Sequence, residues 1–216
     1  MNKTTLFMGI DVGVPLTNKQ CISLVKSNYK FVCRYYTDSL NPSQLWKLLS
    51  KAEAQMISNA GLDIIAVYES KGGSKTYSKE RGKKDCVNAI RCAENVGQPT
   101  NTTIYFSINS KFLVNEDYNI HDIFNYFTGI TEQMKLYKER TDCEGWNLGI
   151  YGSYNIIEYM LNKCDILYYW QTRVLSKKNI SDKAHFLQST LNTCECGIDP
   201  VDIDLAFNPD LGQFKI

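Results

Sequence analysis

Histidine is scarce in this chain, with two among 216 residues, and none of the eight cysteines forms a Cys-x-x-Cys pair. A structural zinc site needs four nitrogen or sulfur ligands at short spacing, so none is expected. Charge of one sign is also missing. Lys and Arg number 24 against 23 Asp and Glu, a net charge of +1, which gives no electrostatic reason to expect nucleic acid or an anionic membrane as partner. No apolar run reaches membrane-spanning length, so membrane insertion is not expected, and the first residues lack the apolar stretch of a secretion signal. A Gly-rich phosphate loop, a linker, a repeat and a low-complexity segment are all absent. The chain therefore reads as a single domain over residues 1–216, and a hydrophobic content of 44% suffices for a full core. The scattered cysteines read as buried thiols with one or two disulfides. Cys194 and Cys196, in a loop, are the pair most prone to oxidation, with partners elsewhere.

What is present is an alternation of short apolar runs and helical patterns. The runs at Leu6 to Ile10, Lys30 to Tyr36, Leu62 to Tyr68, Thr102 to Ile108, Asn147 to Gly152, Ile166 to Trp170, Ala184 to Gln188 and Val201 to Phe207 predict strands. Helical spacing predicts helices over Lys19 to Asn28, with Ile22 and Val25 as the buried side, and from Asn41-Pro-Ser43 to Asn59. Further helices are predicted from Ser78 to Val96, Ile120 to Arg140 and Tyr154 to Asn162. Eight strands alternating with helices in this length predict an α/β fold, a single (β/α)8 TIM-type barrel with shortened or missing last helices. A doubly wound open sheet is the competing architecture.

In such a barrel the reactive groups stand at the C-terminal ends of the strands. Those ends are Asp11, Tyr36, Glu69, Asn109, Tyr151, Gln171, Gln188 and Asp204. The ring holds carboxylates, amides and tyrosines but no Lys or Cys, which disfavours Schiff-base and thiol chemistry. Paired acids suit glycoside chemistry, in which one protonates the leaving oxygen and another group serves the oxocarbenium side. Tyr36, Tyr68, Tyr151 and Trp170 offer flat apolar faces for stacking on sugars. Asp202 and Asp204 fall on one side of the last strand, where two buried acids are costly unless they line a polar site. Glu69 reads either as an acid beside Gly72-Gly73 or as a surface partner of Lys71 or Lys75, and Asp11 either as a site residue or as a cap of the turn that follows.

Gly-Ile-Asp11-Val, Phe-Val-Cys-Arg-Tyr-Tyr36 and Ile-Ala-Val-Tyr-Glu69-Ser form the first half of a resemblance that covers essentially the whole chain. Ile-Tyr-Phe-Ser-Ile-Asn109, Gly-Ile-Tyr151-Gly, Tyr-Trp170-Gln171 and Val-Asp-Ile-Asp204 complete it. Together they resemble a glycoside-hydrolase-like TIM-barrel domain family of unknown function, related to Chalaropsis-type (family-25) lysozymes. The resemblance implies a cell-wall or other N-acetylated polysaccharide such as peptidoglycan as partner, no cofactor, and an extracellular or cell-wall-associated location. The chain departs from it at Asn109, where relatives typically carry Asp, and at Lys111, where they carry a further acid. With the strand-four acid replaced, the expected catalytic set is Glu69 as acid with Asp11 and Asp204 as electrostatic and positioning groups. Asn109, Tyr36, Tyr151, Trp170, Gln171 and Asp202 are expected to bind substrate. A catalytically impaired glycan-binding module, or a secreted or phage partner-binding protein, is the alternative on the same fold.

Overall fold

The computed structural model describes residues 3–37, 47–69, 77–108, 119–174 and 176–216. The strands are β1 (Phe7–Asp11), β2 (Tyr29–Tyr36), β3 (Asp63–Tyr68), β4 (Thr103–Ser107), β5 (Asn147–Gly152), β6 (Ile166–Thr172), β7 (Phe186–Glu195) and β8 (Ile198–Ala206). They close into a barrel in chain order. Helices α1 (Asn18–Lys26), α2 (Lys51–Asn59), α3 (Lys79–Val96), α4 (Ile120–Thr141) and α5 (Tyr154–Met160) fill the first five connections. Among the described residues no helix follows β6, β7 or β8, as the short final connections in the sequence require.

Strands β1 to β7 run parallel, but β8 is antiparallel to both of its neighbours, β7 and β1. The cause is local. Only Cys196 and Gly197 separate β7 from β8, both with positive φ (53° and 75°), and two left-handed residues make the tight turn of a hairpin. A parallel return would need a crossover of about a dozen residues. The reversal brings the N-terminal half of β8, not its C-terminal end, to the mouth of the barrel, and this decides which acid of the strand lies where.

Burial divides into two compartments. Outward-facing strand residues such as Val32, Ile64, Ile104 and Ile150 meet the helices, while Phe31, Cys33, Ile65, Val67, Tyr105, Trp170 and Phe186 fill the barrel interior. Helices α3 and α4 cross with their backbones touching: a Cβ on Gly82 would sit 1.9 Å from the Tyr126 carbonyl oxygen, and one on Gly129 2.0 Å from that of Lys79.

Three expectations need correction. Helix α2 begins at Lys51, because Leu48 bridges to Tyr35, the Leu49 N–H donates to the Tyr35 carbonyl at 2.9 Å, and the Ser50 side chain caps the first turn. The expected start at Asn41-Pro-Ser43 lies outside the described residues. In α1, Ile22 and Val25 are exposed, and it is Cys21 and Leu24, three apart on the barrel-facing side, that are buried. No disulfide joins the described residues. Cys194 is an exposed thiol, and the Cys196 sulfur lies 3.4 Å from the Ser27 hydroxyl.

Candidate active site

Strand residues alternate between the two faces of a sheet, so the inward set at the mouth continues the interior set already named. In β2 the parity of Phe31 and Cys33 leads to Tyr35. In β6 it runs through Trp170 to Thr172, and in β7 from Phe186 to Gln188. Tyr35, Trp170 and Gln188 meet in a cavity of about 240 Å³ whose lining includes Asp11, Glu69, Ser107, Tyr151 and Asp202, with Thr172 bonded to Gln188.

Gln188 is the hub of the polar network. Its Nε2 donates to Asp11 Oδ2 at 3.1 Å and to Asp202 Oδ2 at 2.8 Å. Its Oε1 accepts from the Tyr151 hydroxyl at 2.7 Å and from Thr172 Oγ1 at 2.9 Å. Both donors and both lone pairs of the amide are thereby used. Asp11 Oδ2 also accepts from the Tyr35 hydroxyl at 3.0 Å, whereas Asp11 Oδ1 is buried without a hydrogen-bonding partner. Asp202 Oδ1 accepts from the Asn192 backbone N–H at 2.8 Å. At the rim, Lys47 Nζ donates to Glu69 Oε2 and lies 3.9 Å from the centre of the Tyr35 ring.

Burial pushes the Asp11 carboxyl up to about 7, with Asp202 and Glu69 adding to the rise and the Tyr35 hydroxyl and Lys47 opposing it. Asp202 is raised by burial as well. Asp204 is fully buried one layer below, opposite Gly9, where it accepts from Trp170 Nε1 at 2.8 Å. Burial and the neighbouring Asp11 hold it well above the usual carboxylate range.

The structure therefore brings Asp11, Glu69, Tyr151, Trp170 and Asp202 to one cavity, with Asp204 beneath it. Because β8 is reversed, Asp202 pairs with Asp11 at the mouth and Asp204 is the deeper of the two. Tyr36 and Gln171 are not part of the cavity. Tyr36 faces outward, donating to Gln98 at 2.8 Å, and Gln171 bonds the backbone of Asn179 and Ser181. Both expectations took the last residue of a run where its inward neighbour was needed. Tyr68 is also outward, against Asp85 at 3.3 Å. Trp170 offers no open face, being stacked on Phe186 with centroids 4.9 Å apart and edge-on to Tyr151. Asn109 lies outside the described residues, as do Lys71, Lys75 and Lys111. Sequence reasoning missed Tyr35, Thr172 and Lys47. The alternation that places Asp11 and Trp170 inward was the signal for the first two; Lys47 carried none.

Among the described residues no group of three or more His, Cys, Asp or Glu side chains is arranged to hold a metal ion, and no helix is long and apolar enough to cross a membrane. What the arrangement supplies is a proton held near neutrality on one carboxyl, with a second carboxyl close by. Each accepts from the same Gln188 nitrogen, so their nearest oxygens are no more than about 6 Å apart.

A profile of the Rv2525c-like, glycoside hydrolase-like domain matches residues 22–206. The uncharacterised protein FadG of Bacillus subtilis is 33% identical over 137 residues, which are 59% of this chain and 24% of FadG, so the match spans about a quarter of that relative. Among solved structures, the Tat-secreted protein Rv2525c of Mycobacterium tuberculosis, in complex with L-tartrate, superposes with a TM-score of 0.76 at 21% identity, covering 97% of this chain and 99% of that one. The modular autolysin LytC of Streptococcus pneumoniae, in complex with a synthetic peptidoglycan ligand, gives 0.64 at 12% identity, covering 92% of this chain and 46% of LytC. The lysozyme of Streptomyces coelicolor gives 0.61 at 14% identity, covering 94% and 93%. At these identities the structural likeness establishes the fold.

Proposed function

Since the chain belongs to the Rv2525c-like, glycoside hydrolase-like domain family, we propose that its cavity hydrolyses a β-linked, N-acetylated cell-wall polysaccharide, peptidoglycan foremost, with Asp11 as the proton donor. The observation that carries this reading is the state of the Asp11 carboxyl. Oδ2 already accepts two hydrogen bonds, so the proton resides on Oδ1, which has no partner of its own. Because Oδ1 is enclosed, the carboxyl must turn toward the cavity it lines to present that proton to a glycosidic oxygen.

In the proposed step the bond between the anomeric carbon and the glycosidic oxygen breaks. The departing oxygen keeps the electron pair and takes the proton of Asp11. The Asp202 carboxylate faces the positive charge that develops on the sugar. Water then supplies hydroxide to the anomeric carbon and returns a proton to Asp11. The closeness of the two acids suits the spacing of retaining glycosidases, about 5–5.5 Å, better than the about 6.5–9.5 Å that leaves room for an inverting water. Glu69, whose carboxylate is paired with Lys47 at the rim, is assigned to binding, while Asp204 contributes to the field from below. Action outside the cell or at the cell wall belongs to the same proposal, supported by the secreted and autolytic neighbours.

A second reading, a barrel that binds glycan without turning it over, is favoured by one observation: Lys47 neutralises the rim acid Glu69. Turbidity loss and released reducing ends from purified peptidoglycan and chitin oligomers decide between them. Hydrolysis that falls about 10²–10⁴-fold in Asp11→Asn supports the acid assignment. Equal loss in Glu69→Gln with none in Asp11→Asn would return the acid role to Glu69. Binding by the parent without turnover establishes the second reading.

A further inference from the structure

Among the described residues the site leaves one buried cation unused. Arg34 sits in the middle of β2 on its outward face and is fully buried, as is all but a few per cent of its partner Glu53 on α2. The guanidinium makes two parallel bonds to that carboxylate, Nε to Oε1 at 2.8 Å and Nη2 to Oε2 at 3.0 Å. Its remaining arm, Nη1, donates to two backbone carbonyls, Val12 at 2.8 Å and Lys47 at 3.3 Å. Val12 is the residue directly after Asp11. Lys47 is the residue whose ammonium holds Glu69 and covers the Tyr35 ring. Glu53 Oε1 adds a bond from the Leu16 backbone N–H at 3.0 Å, so the turn after β1 is held twice. The next residue in the strand, Tyr35, faces inward and grips the Asp11 carboxyl itself.

We propose that Arg34 is a positioning residue, whose one guanidinium sets the two segments that carry Asp11 and Lys47 to the cavity. Packing alone does not ask for this arrangement. A buried ion pair is weak support for stability, and apolar residues of similar volume often serve as well. Lysine could match the charge of Glu53 but not the planar fork that reaches a carboxylate and two carbonyls together. The inference rests on the glycan reading for what the cavity does, but its geometry and its test do not need a glycan.

The test is a carbon-13 NMR titration of the Asp11 carboxyl in the ligand-free protein. Asp11 feels Tyr35, Gln188, Asp202, Asp204, Glu69 and Lys47, and its midpoint in the parent is expected at about 7, raised chiefly by burial. In Arg34→Lys the two segments lose their common anchor and water reaches the carboxyl; loosening Lys47 and Tyr35 acts the other way, but burial is the largest cause of the raised midpoint, so the midpoint is expected to fall by about one unit or more. Should that variant not fold, the double variant Arg34→Met, Glu53→Met replaces the pair by apolar bulk; it also lacks the bonds to Val12 and Lys47, and the same fall is expected. A folded variant that melts earlier yet titrates at the parental midpoint would overturn the proposal and leave the pair a packing element. Absence of glycan binding or hydrolysis by the parent would overturn the proposed function without touching this result.

Discussion

Gln188 shows how much of this cavity is settled by single groups. Its amide has no spare hydrogen-bonding capacity, and its orientation follows from the two carboxyls that need donors. Replacing it by leucine of similar bulk takes one of two donors from Asp11 Oδ2, takes the donor from Asp202 Oδ2, and removes the acceptor of the Tyr151 and Thr172 hydroxyls. Gln188→Leu is expected to lose about 1–3 kcal/mol in urea denaturation at pH 7; a loss indistinguishable from zero would mean that water takes over these bonds. Tyr35 and Tyr36 make a matched pair of probes. The Tyr35 hydroxyl favours the ionised form of Asp11, so Tyr35→Phe is expected to raise the Asp11 titration midpoint further. Tyr36→Phe removes a bond to Gln98 behind the sheet and is expected to leave that midpoint where it is. Equal shifts in the two would contradict the alternation on which the site is built.

At the scale of elements, local pattern was a good guide and long-range pairing was not. The strand order, the five helices and the loss of the last ones follow from hydrophobic period and connection length, both properties of neighbouring residues. Which residue of a strand end faces inward is also written in the chain, as the period of two linking Trp170 to Thr172 and Cys33 to Tyr35, but it is read only when the strand is followed from its core instead of taken at its tip. The direction of β8 was legible in Cys196-Gly197, a two-residue hairpin turn. The Lys47–Glu69 pair and the bond from Gln188 to Asp11, 177 positions away, were not, since nothing local encodes which distant loops meet once the barrel closes. The α3–α4 crossing is of the same kind: Gly82 and Gly129 look like helix weakeners in sequence, yet each makes room for the other helix's backbone. Gly82→Ala, normally favourable in a helix, is expected here to destabilise by about 1–3 kcal/mol through overpacking. A melting curve unchanged or shifted upward would show that the helices separate at little cost.

The molecule as a whole must carry the cost of gathering three acids at one end of its barrel, and that cost has a pH dependence. In the unfolded chain Asp11 ionises near 3.8; in the fold it holds its proton up to about 7. Between these values the native state binds a proton that the unfolded state has released, so stability falls as pH rises through this window and levels off above it. Asp202 and Asp204, both raised by burial, act in the same direction. His185 acts oppositely: burial lowers its pKa, so protonation of the unfolded chain favours unfolding as pH drops through 6.5. A pH profile of the parent alone therefore mixes two slopes. Comparison with Asp11→Asn, which resembles the protonated acid at every pH, cancels the histidine and isolates the carboxyl. Between pH 5 and 8 the parent and Asp11→Asn are expected to differ least in melting temperature at pH 5, with Asp11→Asn gaining on the parent up to about pH 7 and the difference levelling off from there to pH 8. A constant difference between the two would show that Asp11 ionises as readily in the fold as in the unfolded chain. The cavity would then hold no proton near neutrality for a glycosidic oxygen to take.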